Sequence, residues 1–192
     1  LRSKEEIKSI VVSWFTNLVN SQDVGLVVIA CNTASIAAYD VLPQLGKRFN
    51  VPIISMIEGF EDCITDNLKS IKNKSVGIMA TKYSIESGVY QKIVKKYNPI
   101  RVVDIIGTNS ERCVASGRYL DKSSESLIKK DFLNYNHNVK LDTILLGCTC
   151  TSHVSKKIQN IIGDDVVFLD PGEYVSNLAK QKLNIKKESL NG

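Results

Sequence analysis

The sequence predicts an α/β fold, with a mostly parallel sheet fed by right-handed crossovers. Three observations carry this. Apolar, β-branched runs alternate with amphipathic segments throughout the 192 residues. Most of these runs are continuous, as strands buried on both faces of a parallel sheet require. One pattern also occurs twice, LVVIACNTAS at 26–35 and TILLGCTCTS at 143–152. Each is an apolar run that ends in a small residue, then a cysteine, then small polar residues.

The elements follow in order. Lys4–Ser21 is a helix, because Ile7, Ile10, Val11, Phe15 and Val19 form a stripe near the 3.6 period. Trp14 and Phe15 are both read as its packing face. Strand Leu26–Ala30 leads to helix Ala34–Arg48, and strand Pro52–Ile57 to helix Gly59–Ser70. Cys63 in that helix is read as core filling. Strand Ser75–Ala80, helix Ser84–Lys96 and strand Arg101–Ile106 follow. The stretch GTNSERCVASGRYLDKS (107–123) has few strand signals and reads as a loop or short helix, with Cys113 exposed and redox-sensitive. Helix Ser124–Asn134 runs into a polar break, NYNHNV, where His137 is read as a surface residue. Strand Thr143–Leu146, helix Val154–Ile162, strand Val166–Leu169 and helix Gly172–Leu183 complete the series.

Composition narrows the function. Hydrophobic residues make up 43% and charged residues 23%, the balance of a globular domain. No apolar run approaches the roughly 20 residues of a membrane span, and the charged start LRSKEEIKSI has no signal-peptide core. A cytoplasmic protein is expected. The net charge is +5, but the lysines (Lys69, Lys72, Lys74; Lys92, Lys95, Lys96; Lys129, Lys130; Lys186, Lys187) are spread at helix-like spacing. They read as solvated helix faces. Aromatics are 7% and do not interleave with them, so no direct nucleic-acid binding is expected. Five cysteines, an odd number without a secretory signal, argue for free thiols in a reducing compartment.

The two cysteine tips then become the centre of the argument. Ligands bind outside the carboxyl ends of parallel strands, and Cys31 and Cys148 both stand there, before a helix. Helix N-termini suit a carboxylate and lower a thiol's pKa. Inverting a stereocentre with an acidic hydrogen needs a base on one face and an acid on the other, and a thiol can serve as either.

ACNTAS (30–35) and LGCT (146–149) resemble the two signature cysteine motifs of glutamate racemase, in the aspartate/glutamate racemase superfamily. PIISMIEG (52–59) resembles the family's interdomain crossover, and VGIMATKYSIESGVY (76–90) its strand and hydroxyl-bearing turn. LDPGEYV (169–175) resembles the return strand and helix start, and RSKEEI (2–7) the helix after the family's Pro-Tyr-Gly turn. The resemblance runs over essentially the whole chain in order.

It implies two pseudo-symmetric lobes with the active site in the cleft between them: 1–57 plus 164–192 as one lobe, 58–163 as the other. It implies cofactor-independent conversion of L- to D-glutamate for peptidoglycan, with Cys31 and Cys148 as the two acid/base residues. Asn32, Thr33 and Thr149 match positions that bind the substrate's amino and carboxylate groups. Thr81 and Ser84 match the hydroxyl pair near the side-chain carboxylate, with Ser84 where Thr is usual. Neither metal nor cofactor is implied, and a homodimer is.

Two departures bear on activity. Cys150 stands where the family has a histidine that assists the second thiol, so it is the candidate assisting residue; His153 lies three residues on and points elsewhere. The resemblance also begins after the family's Asp-Ser-Gly strand, which implies exposed sheet edge and apolar surface in the first lobe. Two rivals follow. One is a non-catalytic racemase-like scaffold binding an amino acid or a protein. The other is a metal site of Cys148, Cys150 and His153 with Cys31 as a fourth ligand, although structural zinc prefers wider Cys spacing.

Overall fold

A computed structural model describes residues 2–133 and 139–183. His137, Lys186 and Lys187 lie outside the described residues. The chain divides into two compact units, Leu1–Gly59 with Gly172–Gly192, and Phe60–Pro171.

The first unit opens with helix α1 (Lys4–Ser21). Its start is a reciprocal cap: the Glu6 backbone N–H donates to Ser3 Oγ at 3.2 Å, and the Ser3 N–H to Glu6 Oε2 at 2.6 Å. Strand β1 (Val27–Ile29), helices α2 (Asn32–Ala38) and α3 (Leu42–Phe49), and strand β2 (Ile53–Ser55) follow. β1 and β2 pair in parallel, Ile29 opposite Ser55. The single helix expected over 34–48 is therefore two. Pro43 explains the break, since its ring would clash with the Tyr39 carbonyl and it has no N–H to donate. Helix α4 (Met56–Asp66) begins three residues earlier than expected. The Ser55 N–H donates to Glu58 Oε2 at 3.0 Å and the Ile57 N–H to Ser55 Oγ at 3.2 Å, a cap that starts the helix at once.

Alternate strand residues pack to opposite sides. Val27, Ile29 and Ile53 join Val11, Phe15, Leu42 and Leu45 beneath the helices before and after β1. Leu26 and Ile54 join Met56 and Val175 of helix α11 (Gly172–Lys182). Phe15 is 3% exposed, but Trp14 is 73% exposed, so only one of the two expected packing aromatics packs. Neighbours on a helix point about 100° apart, and Phe15 alone aligns with Val11. Leu18 and Val28 are also exposed apolar residues of this unit.

The second unit is built on β3 (Ser75–Ala80), β4 (Arg101–Ile106), β5 (Thr143–Gly147) and β6 (Val167–Leu169), in the order β4-β3-β5-β6. Every pairing is parallel. Because β6 pairs with β5, residues up to Pro171 count with this unit, and the boundary expected near 163 falls later. After β3, the expected helix 84–96 is two, α5 (Lys82–Ser87) and α6 (Val89–Lys95). They divide at Gly88, whose φ of 67° suits glycine.

The stretch after β4 takes the helical alternative: α7 (Thr108–Ala115), then a single 3-10 turn at Arg118–Leu120. Its start is held from afar. Asp131 accepts from the Asn109 and Ser110 N–H groups at 2.9 and 2.8 Å, and from Asn109 Nδ2 and Ser110 Oγ at 2.8 and 2.7 Å. Helix α8 (Ser124–Ile128) and a 3-10 turn at Lys129–Phe132 carry Asp131 there. Cys113 is consequently 1% exposed in the core, not at the surface; Cys63 is buried as expected. After β5 come α9 (Thr149–Ser152) and α10 (Ser155–Ile162). No helix among the described residues is long and apolar enough to cross a membrane.

The buried Asp131 carboxylate satisfies four donors, so removing it strands them. Asp131→Ala should destabilise the chain by on the order of 3 kcal/mol, and Asp131→Asn by clearly less. Urea unfolding followed by circular dichroism measures both.

Candidate active site

Cys31 follows the end of β1 and is the N-cap of α2, in an extended conformation (φ −107°, ψ 121°). Its carbonyl accepts from the Ser35 N–H at 2.9 Å. Its thiol is exposed and makes no capping bond. Asn32 and Thr33 occupy the first turn; Asn32 is buried and Thr33 half-buried. The tip is fixed by Ser35, whose Oγ donates to the Ile29 carbonyl at 3.0 Å and accepts from the Met56 N–H at 3.1 Å. One buried hydroxyl thus ties the end of β1 to the end of β2. Ser35 was legible as part of the motif but not as this tie, since its partner lies 21 residues away.

The second unit repeats the local plan. Cys148 follows β5 as the N-cap of α9, again extended (φ −148°, ψ 127°). The Thr151 N–H and hydroxyl both reach the Cys148 carbonyl, at 3.0 and 2.5 Å. The parallel register pairs Ala80 with Gly147, so the next residues, Thr81 and Cys148, stand side by side at the carboxyl end of the sheet. Gly147 is required there. A Cβ at that position would lie 3.0 Å from Ala80 Cβ and 3.2 Å from the Tyr90 ring, which is stacked on Phe60 with centroids 3.9 Å apart. Thr81 caps α5: its Oγ1 accepts from the Ser84 N–H at 3.2 Å and donates to Ser84 Oγ at 3.1 Å. Ser84 is wholly buried, so it supports Thr81 from beneath while Thr81 is half-exposed. Thr149 and Cys150 are half-buried beside Cys148.

The electrostatics of Cys148 overturn the expectation of a lowered pKa. Burial pushes its thiol up to about 12; the Cys150 backbone N–H pulls the other way, and the Cys150 thiol and the Glu111 charge push further up. A four-residue helix has too small a dipole to offset that desolvation. Cys148 is therefore a proton-bearing thiol at neutral pH, whereas Cys31 meets solvent.

The predicted residues thus fall into two groups: Cys31, Asn32 and Thr33 in the first unit, and Thr81, Ser84, Cys148, Thr149 and Cys150 in the second. His153 is exposed and its ring lies 5.7 Å from that of Tyr119. Among the described residues no group of three or more His, Cys, Asp or Glu side chains is arranged to hold a metal ion. A concavity of about 640 Å³ in the first unit is lined by Tyr39, Asp40, Pro43, Lys47, Glu58 and Lys182 among others, and no predicted site residue lines it.

A family model described as Asp/Glu/Hydantoin racemase matches residues 3–179. The glutamate racemase of Buchnera aphidicola subsp. Schizaphis graminum is 35% identical over 170 residues, which are 88% of this chain and 64% of that protein. The chain therefore spans just under two thirds of that relative's length. Among solved structures, glutamate racemase from Campylobacter jejuni superposes with a TM-score of 0.82 at 21% identity, covering 98% of this chain and 72% of that one. The Francisella tularensis glutamate racemase, in complex with D-glutamate, superposes with a TM-score of 0.79 at 27% identity, covering 95% and 65%.

Two outcomes follow from the thiol environments. Iodoacetamide at pH 8 should modify Cys31 and Cys150 in the folded chain, and Cys63, Cys113 and Cys148 only after unfolding; peptide mass mapping reads this directly. A raised thiol pKa also means the folded chain keeps a proton that the unfolded chain releases. Stability is then lost as pH rises from the ordinary thiol value towards about 12, by up to about 1.4 kcal/mol per pH unit. Wild type should lose stability relative to Cys148→Ser between pH 9 and 11, in paired urea titrations.

Proposed function

The chain belongs to the Asp/Glu/hydantoin racemase family, and on that premise we propose that it interconverts L- and D-glutamate without a cofactor, with Cys31 and Cys148 as the acid/base pair. One observation carries the reading. The same unit, a parallel strand ending in an extended cysteine that caps a helix, occurs twice, and the two thiols differ in environment.

The chemistry needs that difference. Removing the Cα proton requires one thiolate, and returning a proton to the opposite face requires one thiol. Cys148, held protonated by burial, starts as the acid. Cys31, exposed, starts as the base. Cys31 takes the Cα proton, a planar carbanion forms, and Cys148 delivers its proton to the other face. The protons have then changed places, and the reverse reaction starts from the other thiol. Asn32, Thr33 and Thr149 would hold the α-amino and α-carboxylate groups, and Thr81, backed by Ser84, the side-chain carboxylate. Cys150 would assist Cys148 through its N–H and thiol, in place of an imidazole.

The wider reading supplies D-glutamate for peptidoglycan in the cytoplasm. It includes a homodimer, for which exposed Trp14, Leu18 and Val28 offer apolar surface. Support for glutamate comes from the relative in Buchnera and from the Francisella protein, whose structure holds D-glutamate.

The test is α-proton exchange. L-Glutamate and D-glutamate are incubated separately with the chain in D₂O, and loss of the Cα proton is followed by NMR. Deuterium should enter the inverted product, and Cys31→Ser should slow exchange by at least about 10²-fold. A folded chain that exchanges neither enantiomer would leave a scaffold that binds without turnover.

A further inference from the structure

We propose that Cys148 and Cys150 form a reversible disulfide under peroxide, which takes the second strand-tip thiol out of use. The proposal deepens the racemase reading, because that reading makes Cys148 the residue whose loss matters.

Geometry carries it. Cys148 caps α9 and Thr149 is the first helical residue. With the intervening residue helical, the Cα atoms of 148 and 150 lie about 5.4 Å apart. That falls inside the window of roughly 4.4–6.8 Å that a disulfide accepts. The Cys150 backbone N–H and thiol both interact with the Cys148 sulfur, so the two side chains already converge. Exposure sets the order of events: Cys148 is 7% exposed, while Cys150 is half-buried and meets solvent first. The other thiols of this unit, Cys63 and Cys113, are 0% and 1% exposed and sealed in the core.

The steps balance. Ionised Cys150 attacks one oxygen of hydrogen peroxide; the O–O bond breaks, one water leaves, and Cys150 becomes a sulfenic acid. The Cys148 sulfur then attacks the Cys150 sulfur. The S–O bond breaks, and a second water leaves with the proton that Cys148 carried. Two thiols and one peroxide become one disulfide and two waters. Holding the partners one residue apart makes the second step intramolecular, which offsets the low thiolate fraction of a buried cysteine. The ring is small, so the bond is strained and readily reduced, the property of regulatory rather than structural disulfides. Two equivalents of an external thiol restore both groups.

The test reads the bond itself. The folded chain is treated with a few equivalents of hydrogen peroxide, quenched in acid, unfolded, alkylated and digested with trypsin. Cleavage after Lys140 and Lys156 gives LDTILLGCTCTSHVSK, which holds Cys148 and Cys150 and no other cysteine. The expected product is this peptide lighter by two hydrogens and without alkyl groups, returning to the doubly alkylated form after dithiothreitol. Cys150→Ser should abolish the lighter species. A peptide that stays doubly alkylated, a sulfinic or sulfonic Cys150 beside an alkylated Cys148, or a cross-link from Cys148 to Cys31 would overturn the proposal. A parallel D₂O exchange assay separates the two readings. A disulfide that forms in a chain without exchange activity leaves the switch standing and removes the racemase. Exchange in a chain whose peptide stays reduced does the reverse.

Discussion

Parallel pairing places the chemistry of this chain. In a parallel sheet all carboxyl ends lie at one edge, and each strand hands its next residue to the loop above that edge. The register of Ala80 with Gly147 makes Thr81 and Cys148 neighbours before any side chain is considered. A slip of one residue would turn every strand residue to the opposite face. It would also carry Cys148 away from Thr81. Gly147 keeps that register affordable, because the stacked Phe60–Tyr90 pair and the Ala80 methyl leave no space for a Cβ. The first unit holds its own tip differently, through Ser35, which bridges the ends of β1 and β2 with two hydrogen bonds.

The two tips then diverge in solvation, and solvation decides what each thiol can do. At Cys148 the burial that fixes the side chain also favours its neutral form. At the first tip the Cys31 thiol is exposed. The same burial makes Cys150 the first thiol of its unit that a solvent oxidant reaches. Its half-exposed position therefore bears on both readings of the residue, as the partner that steadies Cys148 and as the route by which oxidation reaches it.

Much of this was legible in the sequence, and the reasons are local. Continuous β-branched runs marked all six strands within about two residues; β3 and β5, sealed in the sheet, have no polar face to disguise them, and the runs persist in β1 and β4 although these are partly exposed. Helix α1 matched its expected bounds, since its stripe lies within it and its cap, Ser3, immediately precedes it. The cysteine tips were visible because strand end, thiol and helix start are contiguous. Three local features set the helix boundaries that differ from the periodicity: Pro43 in the first turn of α3, Gly88 at a left-handed turn, and the Ser55–Glu58 cap. What could not be seen locally was long-range. Nothing in GTNSERCVAS announces that Asp131, more than twenty residues on, caps its helix, and so the burial of Cys113 was hidden with it. The raised pKa of Cys148 was hidden in the same way, because a thiol's desolvation is set by everything packed around it.

Unit one shows how such a fold stands on little sheet. Two paired strands of three residues each contribute few ladder bonds, and a two-stranded sheet alone is marginal in water. The strands survive because each face is covered by a different layer. Val27, Ile29 and Ile53, each partly buried, pack against the cluster formed with α1, α2 and α3; partly buried Leu26 and buried Ile54 pack with α11. The final helix is thus not an appendage. The chain leaves this unit at Gly59, builds the second unit, and returns at Gly172 to close the open face of β1 and β2. Cys31 rides on β1, so the position of the first thiol depends on residues some 140 positions later in the chain. Val28, on the same face as Leu26, is where that cover thins, and it is 38% exposed.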